Sequence, residues 1–196
     1  MPMPLSAIVL AAGGSRRLGQ PKQLLLLNGE TLIARALRLA NEAGVVLVFA
    51  VLGAQHEVIA NSVGVSNAIL VVNEDWRQGI STSIVAGLRA VAQQAPESPG
   101  VLLLACDQPR LSANHLRELV RAFNEHNGEA IVASAYTGTR GIPAIFPRAA
   151  FSGLLALHGD RGARALVENA SRPVVSVQFK GGELDIDSPQ DLEQLS

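Results

Sequence analysis

The most informative segment of the sequence is a glycine-rich loop at residues 10–22. Gly13 and Gly14 follow a run of apolar residues, and they let the backbone turn and approach a ligand closely. Backbone N–H groups in such a loop can point at anionic oxygens. The cations of the loop that could neutralise several negative charges are Arg16, Arg17 and Lys22. The loop therefore predicts a polyphosphate site.

Two familiar phosphate-binding motifs do not match this loop. A Walker-type loop has Lys and then Ser or Thr after its last glycine, but Gly19 is followed by Gln20 and Pro21. The dinucleotide-binding pattern Gly-x-Gly-x-x-Gly starts at neither Gly13 nor Gly14. The residues alone leave two interpretations, a polyphosphate site of another type and an ordinary loop with solvated arginines.

Two aspartates could supply a metal site. Asp107 follows the apolar run Val101–Cys106, which places it at the carboxyl end of a buried strand, where open α/β sheets bind ligands. Asp187 lies in a short extended stretch before Ser188 and Pro189. Carboxylate oxygens suit Mg²⁺, and phosphate and water oxygens would complete its coordination. The alternatives are a turn at Asp107 and a helix cap at Asp187 or Ser188.

Two further segments combine polar side chains with glycines. In residues 73–83, Asn73 ends a strand and Gly79 precedes the hydroxyl of Ser81 at a helix start. This arrangement suits a base or a ribose, and a simple N-cap is the alternative. Residues 158–164 read His-Gly-Asp-Arg-Gly-Ala-Arg, which places two cations and a carboxylate beside a predicted helix. They suit an anionic group on a second substrate, with solvated helix-end arginines as the alternative.

The glycine-rich loop resembles the signature Leu-Ala-Ala-Gly-x-Ser-x-Arg-x-Gly, followed closely by Lys, that opens the MobA-like nucleotidyltransferases. Later segments resemble that family's further motifs in the same order, and together they span nearly the whole chain. These segments are Asn73–Ser83, Cys106–Pro109, Gly141–Pro143, Gly159–Arg164 and Asp185–Pro189. The sequences Ala-Ala-Gly at residues 11–13 and Gly-Asp-Arg-Gly-Ala-Arg most resemble those of the molybdenum cofactor cytidylyltransferases. Guanylyltransferase relatives typically have Leu-Ala-Gly-Gly at the loop.

The resemblance implies roles for residues of this sequence. The residues implied in nucleotide binding are Leu10, Ala11, Ala12, Gly13, Gly14, Arg17, Lys22, Asn73, Gly79 and Ser81. The residues implied in binding the pterin substrate are Arg140, Pro143, Asp160, Arg161 and Arg164. The family's metal-binding pair corresponds to Asp107 and Asp187, and the implied catalytic residues are Arg17, Lys22 and Asp107.

The activity that the resemblance implies is Mg²⁺-dependent transfer of CMP from CTP to molybdopterin that carries molybdenum, with release of pyrophosphate. A molybdenum hydroxylase of the xanthine dehydrogenase type is the candidate recipient of the product. The alternatives within the class are a guanylyltransferase, with GTP in place of CTP, and another NTP-dependent nucleotidyltransferase. Two alternatives lie outside it: a non-catalytic molybdopterin-binding chaperone for a molybdenum hydroxylase, and an oxidoreductase built on the same scaffold.

The elements that must position these residues alternate between apolar runs of strand length and helix-length segments. The predicted strands are Leu5–Ala12, Val45–Leu52, Ala68–Val72 and Val101–Ala105, and the predicted helices are Thr31–Ala43, Ser83–Ala95 and Asn114–Glu125. This alternation predicts an α/β fold with a mostly parallel sheet covered by helices. The resemblance implies a Rossmann-like three-layer sandwich of the nucleotide-diphospho-sugar transferase type.

The C-terminal third is less regular, and it predicts added strands, with antiparallel pairing among the options, and a lid over the same sheet. The extended candidates are Ala130–Ala135, Ile142–Phe146 and Val174–Phe179, and short helices are expected around Phe151–Leu157 and Ala163–Asn169. The length of 196 residues suits one nucleotidyltransferase domain over residues 1–196.

Composition excludes several classes of function. With 16 basic and 17 acidic residues, the chain has no broad basic face for nucleic acid or anionic lipid. Its single cysteine, Cys106, allows no internal disulfide, fits a reducing cytoplasm and is expected in the core. We expect neither a secretory signal nor a membrane span. His56, His115 and His126 are scattered and are expected at the surface.

Overall fold

The structure, a computed structural model, describes residues 3–15, 18–63, 68–186 and 190–191. Its strands are β1 (Ser6–Ala11), β2 (Leu26–Leu27), β3 (Glu30–Thr31), β4 (Leu47–Leu52), β5 (Ala68–Val72), β6 (Gly100–Ala105), β7 (Ile131–Tyr136), β8 (Thr139–Pro147) and β9 (Val174–Gln178). Its helices are α1 (Leu32–Glu42), α2 (His56–Val63), α3 (Ile80–Gln94), α4 (Ala113–Glu125), α5 (Phe151–Leu155) and α6 (Arg164–Glu168).

Seven strands of the described chain form one sheet in the order β5-β4-β1-β6-β8-β7-β9. The pairs β5–β4, β4–β1 and β1–β6 are parallel, so the carboxyl ends of these four strands meet at one edge. Strand β8 runs antiparallel to both β6 and β7, and β9 pairs in parallel with β7. The sheet is therefore mostly parallel, and β8 is its reversed member within the described residues.

Helices cover both faces of the sheet and make three layers. Along β1, Ala7, Val9 and Ala11 pack on the face that carries α1 and α4, whereas Ile8 and Leu10 pack on the face that carries α3 and α5. All five side chains are buried, which explains the apolar run without polar alternation. The predicted fold class is confirmed.

The predicted strands and helices are confirmed with small shifts at their ends, whereas helix α2 and the hairpin β2–β3 were not predicted. Helix α2 buries Ile59 alone among its eight residues, so it has almost no apolar periodicity to detect. The hairpin β2–β3 has two residues in each strand and carries the chain from the glycine-rich loop to α1. Leu25 and Leu32 around this hairpin pack with Ile186 from the C-terminal segment.

Helices α1 and α4 are each capped by the hydroxyl of the residue before the helix. The Thr31 hydroxyl accepts a hydrogen bond from the Ala34 amide at the start of α1, at 3.3 Å. The Ser112 hydroxyl accepts one from the His115 amide at the start of α4, at 3.2 Å. No helix among the described residues has the length and apolar character needed to cross a bilayer.

Candidate functional site

A cavity of about 490 Å³ lies at the carboxyl ends of β1 and β6. Of the residues predicted from the sequence, those that line it are Leu10, Ala11, Ala12, Gly13, Gly14, Lys22, Gly79, Asp107 and Asp160. The lining residues that were not predicted are Gln23, Trp76, Arg77, Ile80, Ser83, Ala105 and Cys106. The cavity therefore unites the glycine-rich loop with segments far from it in sequence, at the edge where open α/β sheets bind ligands.

Lys22 and Asp107 form an ion pair in this cavity. The Lys22 ammonium contacts the Asp107 carboxylate, and both side chains are mostly buried. Lys22 opens a short 3₁₀ turn after the loop, and Asp107 follows the end of β6. The cavity thus holds a cation and a carboxylate side by side, the chemistry needed near a polyphosphate.

Gln23 holds the glycine-rich loop in shape. Its side chain is fully buried, and its amide nitrogen donates to the carbonyls of Ala11 at 2.7 Å and Gly13 at 2.9 Å. The Ser15 hydroxyl accepts a hydrogen bond from the Lys22 amide at 2.8 Å, which closes the loop on itself. These bonds fix the loop backbone without help from a ligand.

Trp76 forms one wall of the cavity. A Cβ added at Gly14 would lie 2.8 Å from the Trp76 ring, and one added at Gly53 would lie 2.7 Å from the Trp76 Cβ. Glycine at both positions therefore leaves the space that the Trp76 side chain occupies. The Arg77 guanidinium lies 4.6 Å from the centre of the Trp76 ring, a cation–π contact at the edge of the cavity.

The turn at Gly79 is locked to the turn that carries Asp160. Gly79 has φ 110°, and a Cβ there would lie 2.3 Å from the carbonyl carbon of Gly159 and 2.7 Å from the Asp160 nitrogen. The Ser81 amide donates to the Gly159 carbonyl at 3.2 Å. The start of α3 and the 159–160 turn therefore form one wall of the cavity.

The loop that carries Asp107 is held from three sides. The Arg35 guanidinium, from α1, donates to the carbonyls of Gln108 at 3.3 Å and Pro109 at 2.9 Å, and also to that of Leu111. The Ile186 amide donates to the Asp107 carbonyl at 2.9 Å. The buried Gln108 side chain donates to the carbonyls of Ile142 at 3.1 Å and Gly182 at 3.3 Å.

Asn73 and Ser81 lie outside this cavity, in a separate depression on the other side of the Gly79 turn. The Asn73 amide nitrogen donates to the hydroxyls of Thr82 and Ser83, both at 2.9 Å, and its oxygen accepts from the Asp75 amide at 3.0 Å. Both ends of its side-chain amide are thus hydrogen-bonded to residues around the start of α3. Within the protein Asn73 therefore has a positioning role, and the nucleotide contact expected for it stays a prediction.

The residues predicted for the pterin substrate are not gathered in one place. Arg140 and Arg164 line a cleft of about 360 Å³, where the Arg164 guanidinium also pairs with Glu168 at 2.7 Å. Arg161 lines a third cavity between α5 and α6, and Asp160 faces the cavity of the glycine-rich loop. Pro143 is buried in β8. The chain directs Asp160, Arg161 and Arg164 to three different cavities, so these residues do not share a site although they are close in the sequence.

The predicted surface position of His115 is wrong. Its ring is buried, stacks on Phe179 with ring centres 4.4 Å apart, and contacts the Ser134 hydroxyl at 2.8 Å. Because that hydroxyl donates to the Pro143 carbonyl at 2.6 Å, the His115 Nε2 must be the donor to Ser134. Burial lowers the pKa of His115, so the ring is neutral at physiological pH.

Cys106 is confirmed as a core residue. Burial and the adjacent Asp107 carboxylate raise the pKa of its thiol to about 12, which keeps it protonated and unreactive as a nucleophile.

The loop arginines Arg16 and Arg17 and the second predicted metal ligand, Asp187, lie outside the described residues. Within the described ranges, no cluster of three or more His, Cys, Asp or Glu residues is arranged to hold a metal ion. The neighbour of Asp187 in the sequence, Ile186, is the residue whose amide binds the Asp107 carbonyl.

The mostly parallel sheet is covered by helices on both faces, and a glycine-rich loop and a carboxylate lie at the ends of adjacent strands. This arrangement defines an α/β fold of the nucleotide-diphospho-sugar transferase type. The chain belongs to the family of the MobA-like NTP transferase domain, whose model matches residues 7–174.

Three proteins similar to this chain have names that point to different activities. Purine catabolism protein PucB of Bacillus subtilis (strain 168) is 29% identical, over 97% of this chain and 95% of its own. Nicotine blue oxidoreductase of Paenarthrobacter nicotinovorans is 30% identical, over 83% and 81%. A probable molybdenum cofactor guanylyltransferase of Opitutus terrae is 34% identical, over 73% and 66%.

A solved structure with the same fold contains a divalent metal. Rv0371c of Mycobacterium tuberculosis H37Rv, in complex with manganese, superposes with a TM-score of 0.81 at 29% identity, over 98% of each chain. The comparisons thus agree on the fold and on the family of the MobA-like NTP transferase domain.

Proposed function

We propose that this protein is a molybdenum cofactor cytidylyltransferase, which transfers CMP from CTP to molybdopterin that carries molybdenum and releases pyrophosphate. The observation that carries the proposal is the cavity in which the backbone of residues 10–14 meets the Lys22–Asp107 pair. The Ala-Ala-Gly sequence of that loop supports CTP as the nucleotide. The product would pass to a molybdenum hydroxylase of the xanthine dehydrogenase type in the cytoplasm.

The proposed reaction is an in-line displacement at the α-phosphorus of CTP. An oxygen of the terminal phosphate of molybdopterin forms a bond to this phosphorus, while the bond from the phosphorus to the bridging oxygen breaks and pyrophosphate leaves. The attacking oxygen is already anionic, so the protein needs no strong general base. Catalysis then depends on positioning and on charge neutralisation.

Lys22 is placed to neutralise charge in this reaction. Its ammonium lies at the base of the glycine-rich loop, where it can contact the triphosphate and stabilise the charge on the departing pyrophosphate. Arg17 belongs to the same loop in the sequence and would add a second cation. The loop backbone between Leu10 and Gly14 would contact the base.

Asp107 fits the role of a metal ligand. Mg²⁺ is usually bound through one or two carboxylates together with substrate phosphates and water, and Asp107 presents a hard oxygen donor in an open cavity. We propose Asp187 as the second carboxylate, because its neighbour Ile186 is bonded to Asp107. When bound, Mg²⁺ supplies charge stabilisation on the phosphates.

Release of pyrophosphate tests the proposal. The purified protein is incubated with Mg²⁺ and molybdenum-loaded molybdopterin, and separately with CTP, GTP, ATP and UTP. We expect release with CTP alone. A preference for GTP would make the protein a guanylyltransferase. Binding of CTP without release would favour a carrier of molybdopterin, and oxidation of NAD(P)H by the protein would favour an oxidoreductase.

Replacing Asp107 should abolish turnover without unfolding the protein. Asp107→Asn keeps the shape of the side chain but removes the negative charge that pairs with Lys22 and would bind the cation. We expect pyrophosphate release to fall by at least about 100-fold, since electrostatic stabilisation by one group is worth that much in comparable sites. Full activity in this variant would remove the metal assignment.

Glu125→Gln provides the matched control for that loss of charge. Glu125 is exposed at the last residue of α4, and α4 begins just after the Asp107 loop and runs back across the sheet. Its 13 residues span about 20 Å, which places Glu125 near the opposite edge. The control should retain wild-type turnover.

A further inference from the structure

We infer that Asp160 accepts hydrogen bonds from the ribose hydroxyls of the bound nucleotide and makes the site selective for ribonucleotides over deoxyribonucleotides. The inference rests on the proposed binding of a nucleoside triphosphate and changes the expected role of Asp160, which was contact with the pterin substrate.

The placement of Asp160 is the first observation. It lines the same cavity as the glycine-rich loop, Lys22 and Asp107, whereas Arg140 and Arg164 line a separate cleft. Asp160 is therefore on the nucleotide side of the molecule.

The backbone that carries Asp160 is fixed. The Gly159 carbonyl accepts a hydrogen bond from the Ser81 amide, and the Gly79 Cα packs so closely on this turn that no side chain fits there. Residue 160 is thus anchored to the start of α3 before any ligand binds. Such preorganisation is what a recognition residue requires.

The Asp160 carboxylate is itself uncommitted. Across the residues that the structure describes, it makes no hydrogen bond or ion pair, and the side chain is exposed at the cavity mouth. By contrast, the Asp107 carboxylate is mostly buried and paired with Lys22. The cavity therefore contains one carboxylate that is engaged by the protein and one that is available to a ligand.

The charge of Asp160 selects the part of the ligand that it can contact. An ionised carboxylate only accepts hydrogen bonds, and it repels a triphosphate, so its partner must bring neutral donors. Ribose hydroxyls are such donors, and carboxylates recognise them at other nucleotide sites.

The amino group of cytosine is also a neutral donor, and the burial of the cavity residues decides between it and the ribose as the partner of Asp160. The apolar floor of the cavity, suited to a flat base, is formed by the buried residues Leu10, Ala11 and Cys106. Asp160 is instead exposed at the rim of the cavity, where the polar ribose of a nucleotide with its base on that floor would lie. The geometry therefore favours the ribose.

Equilibrium binding without the acceptor tests the inference. Affinities for CTP, 2′-deoxy-CTP and 3′-deoxy-CTP are measured by titration calorimetry with Mg²⁺ for the wild type, Asp160→Ala and Asp160→Asn. Because Asp160 is exposed and unbonded, both variants should fold normally, which thermal unfolding checks. Glu125→Ala, which removes a carboxylate near the opposite edge of the sheet, is the matched control.

We expect the wild type to bind at least one deoxynucleotide about ten-fold or more weakly than CTP, the loss typical of a hydrogen bond to a charged acceptor. In Asp160→Ala the difference should shrink to about two-fold or less, because CTP then loses the contact that the weaker-binding deoxynucleotide already lacks. Asp160→Asn, which keeps one acceptor oxygen, should fall between, and Glu125→Ala should match the wild type.

Three results would overturn the inference: no difference between CTP and the deoxynucleotides in the wild type, a difference that persists in Asp160→Ala, or a loss of Mn²⁺ binding in Asp160→Ala without nucleotide, which would make Asp160 a metal ligand. If the wild type binds none of the four common nucleoside triphosphates, the proposed function fails as well. The two failures can be distinguished: if only the inference fails, the wild type still binds CTP.

Discussion

Neighbouring glycines of the loop differ in what surrounds them. Gly13 has open space where a Cβ would lie and no left-handed φ, so alanine fits the fold there. Gly14 has the Trp76 ring 2.8 Å from that position. A methyl group added at residue 13 should therefore change ligand binding, whereas one added at residue 14 should change the stability of the protein.

Gly13→Ala should keep or raise the free energy of unfolding, by up to about 1 kcal/mol, because alanine restricts the unfolded chain. The methyl group would project from a wall of the cavity and should weaken CTP binding by about ten-fold, the cost of a moderate steric overlap. Gly14→Ala should lose about 1–3 kcal/mol of stability, since Trp76 must move. Urea unfolding and CTP titration measure both effects, and equal stability losses in the two variants would contradict this picture of the loop.

At the residue scale, the sequence predicted Lys22, Asp107 and the glycines of the cavity but missed the residues that shape it. Lys22 and Asp107 could be found because cations in a glycine-rich loop and a carboxylate after a buried strand have a known chemical use. Gln23 and Trp76 gave no such signal. Their roles depend on contacts with Ala11, Gly14 and other residues that only folding brings together.

At the scale of elements, α1 fixes the loop after β6 through one side chain. The Arg35 guanidinium donates to three carbonyl oxygens of that loop, those of Gln108, Pro109 and Leu111. Its partial burial lowers the pKa of the guanidinium without removing its charge. One turn further along α1, Arg38 is exposed and binds Glu30 and Glu42. The two arginines thus form a matched pair for mutation.

Arg35→Met should lower the free energy of unfolding by about 2–3 kcal/mol, because hydrogen bonds from a charged group are lost and carbonyls are left unsatisfied. Turnover should fall too, since the Asp107 loop loses a support. Arg38→Met removes surface ion pairs only, and it should cost about 1 kcal/mol or less. Urea unfolding and pyrophosphate release measure these effects. Similar losses in both variants would show that Arg35 has no special role.

The contact between α4, β7 and β8 should make stability depend on pH. Burial lowers the pKa of His115 below its ordinary value of 6.5. As the pH falls below 6.5, the unfolded chain binds a proton there that the folded chain does not, so stability decreases toward acid. This group contributes a slope of at most about 1.4 kcal/mol per pH unit until the pH reaches its folded pKa.

His115→Gln should flatten that slope while lowering stability at neutral pH, because the stacking on Phe179 is lost. Free energies of unfolding measured between about pH 5 and pH 8 test this. An unchanged slope in the variant would mean that His115 takes up its proton equally well in the folded protein.

Elements with strong apolar patterns were predicted well, and elements stabilised by few contacts were not. The runs that became β1, β4 and β6 are buried on both faces, so their pattern is strong. Helix α2 and the hairpin β2–β3 are short and bury few side chains. The surface position predicted for His115 failed because its ring is covered by β7 and by Phe179, contacts between distant parts of the chain.

At the scale of the whole molecule, the parallel arrangement of β5, β4, β1 and β6 is what brings the glycine-rich loop and Asp107 to one edge. The alternation of strands and helices was enough to predict that arrangement. The reversal of β8 and the parallel return of β9 depend on long-range pairing, so the sequence suggested added strands without their order. The overall charge of −1 leaves nucleotide attraction to local groups such as Lys22.

The most direct test of nucleotidyl transfer follows the α-phosphorus. CTP labelled with ³²P at the α-position is incubated with the protein, Mg²⁺ and molybdenum-loaded molybdopterin, and the products are separated. We expect the label in a cytosine dinucleotide of the pterin, with one unlabelled pyrophosphate released for each labelled product. Label that remains in CTP, or that appears as free CMP without a pterin product, would contradict transfer at this site.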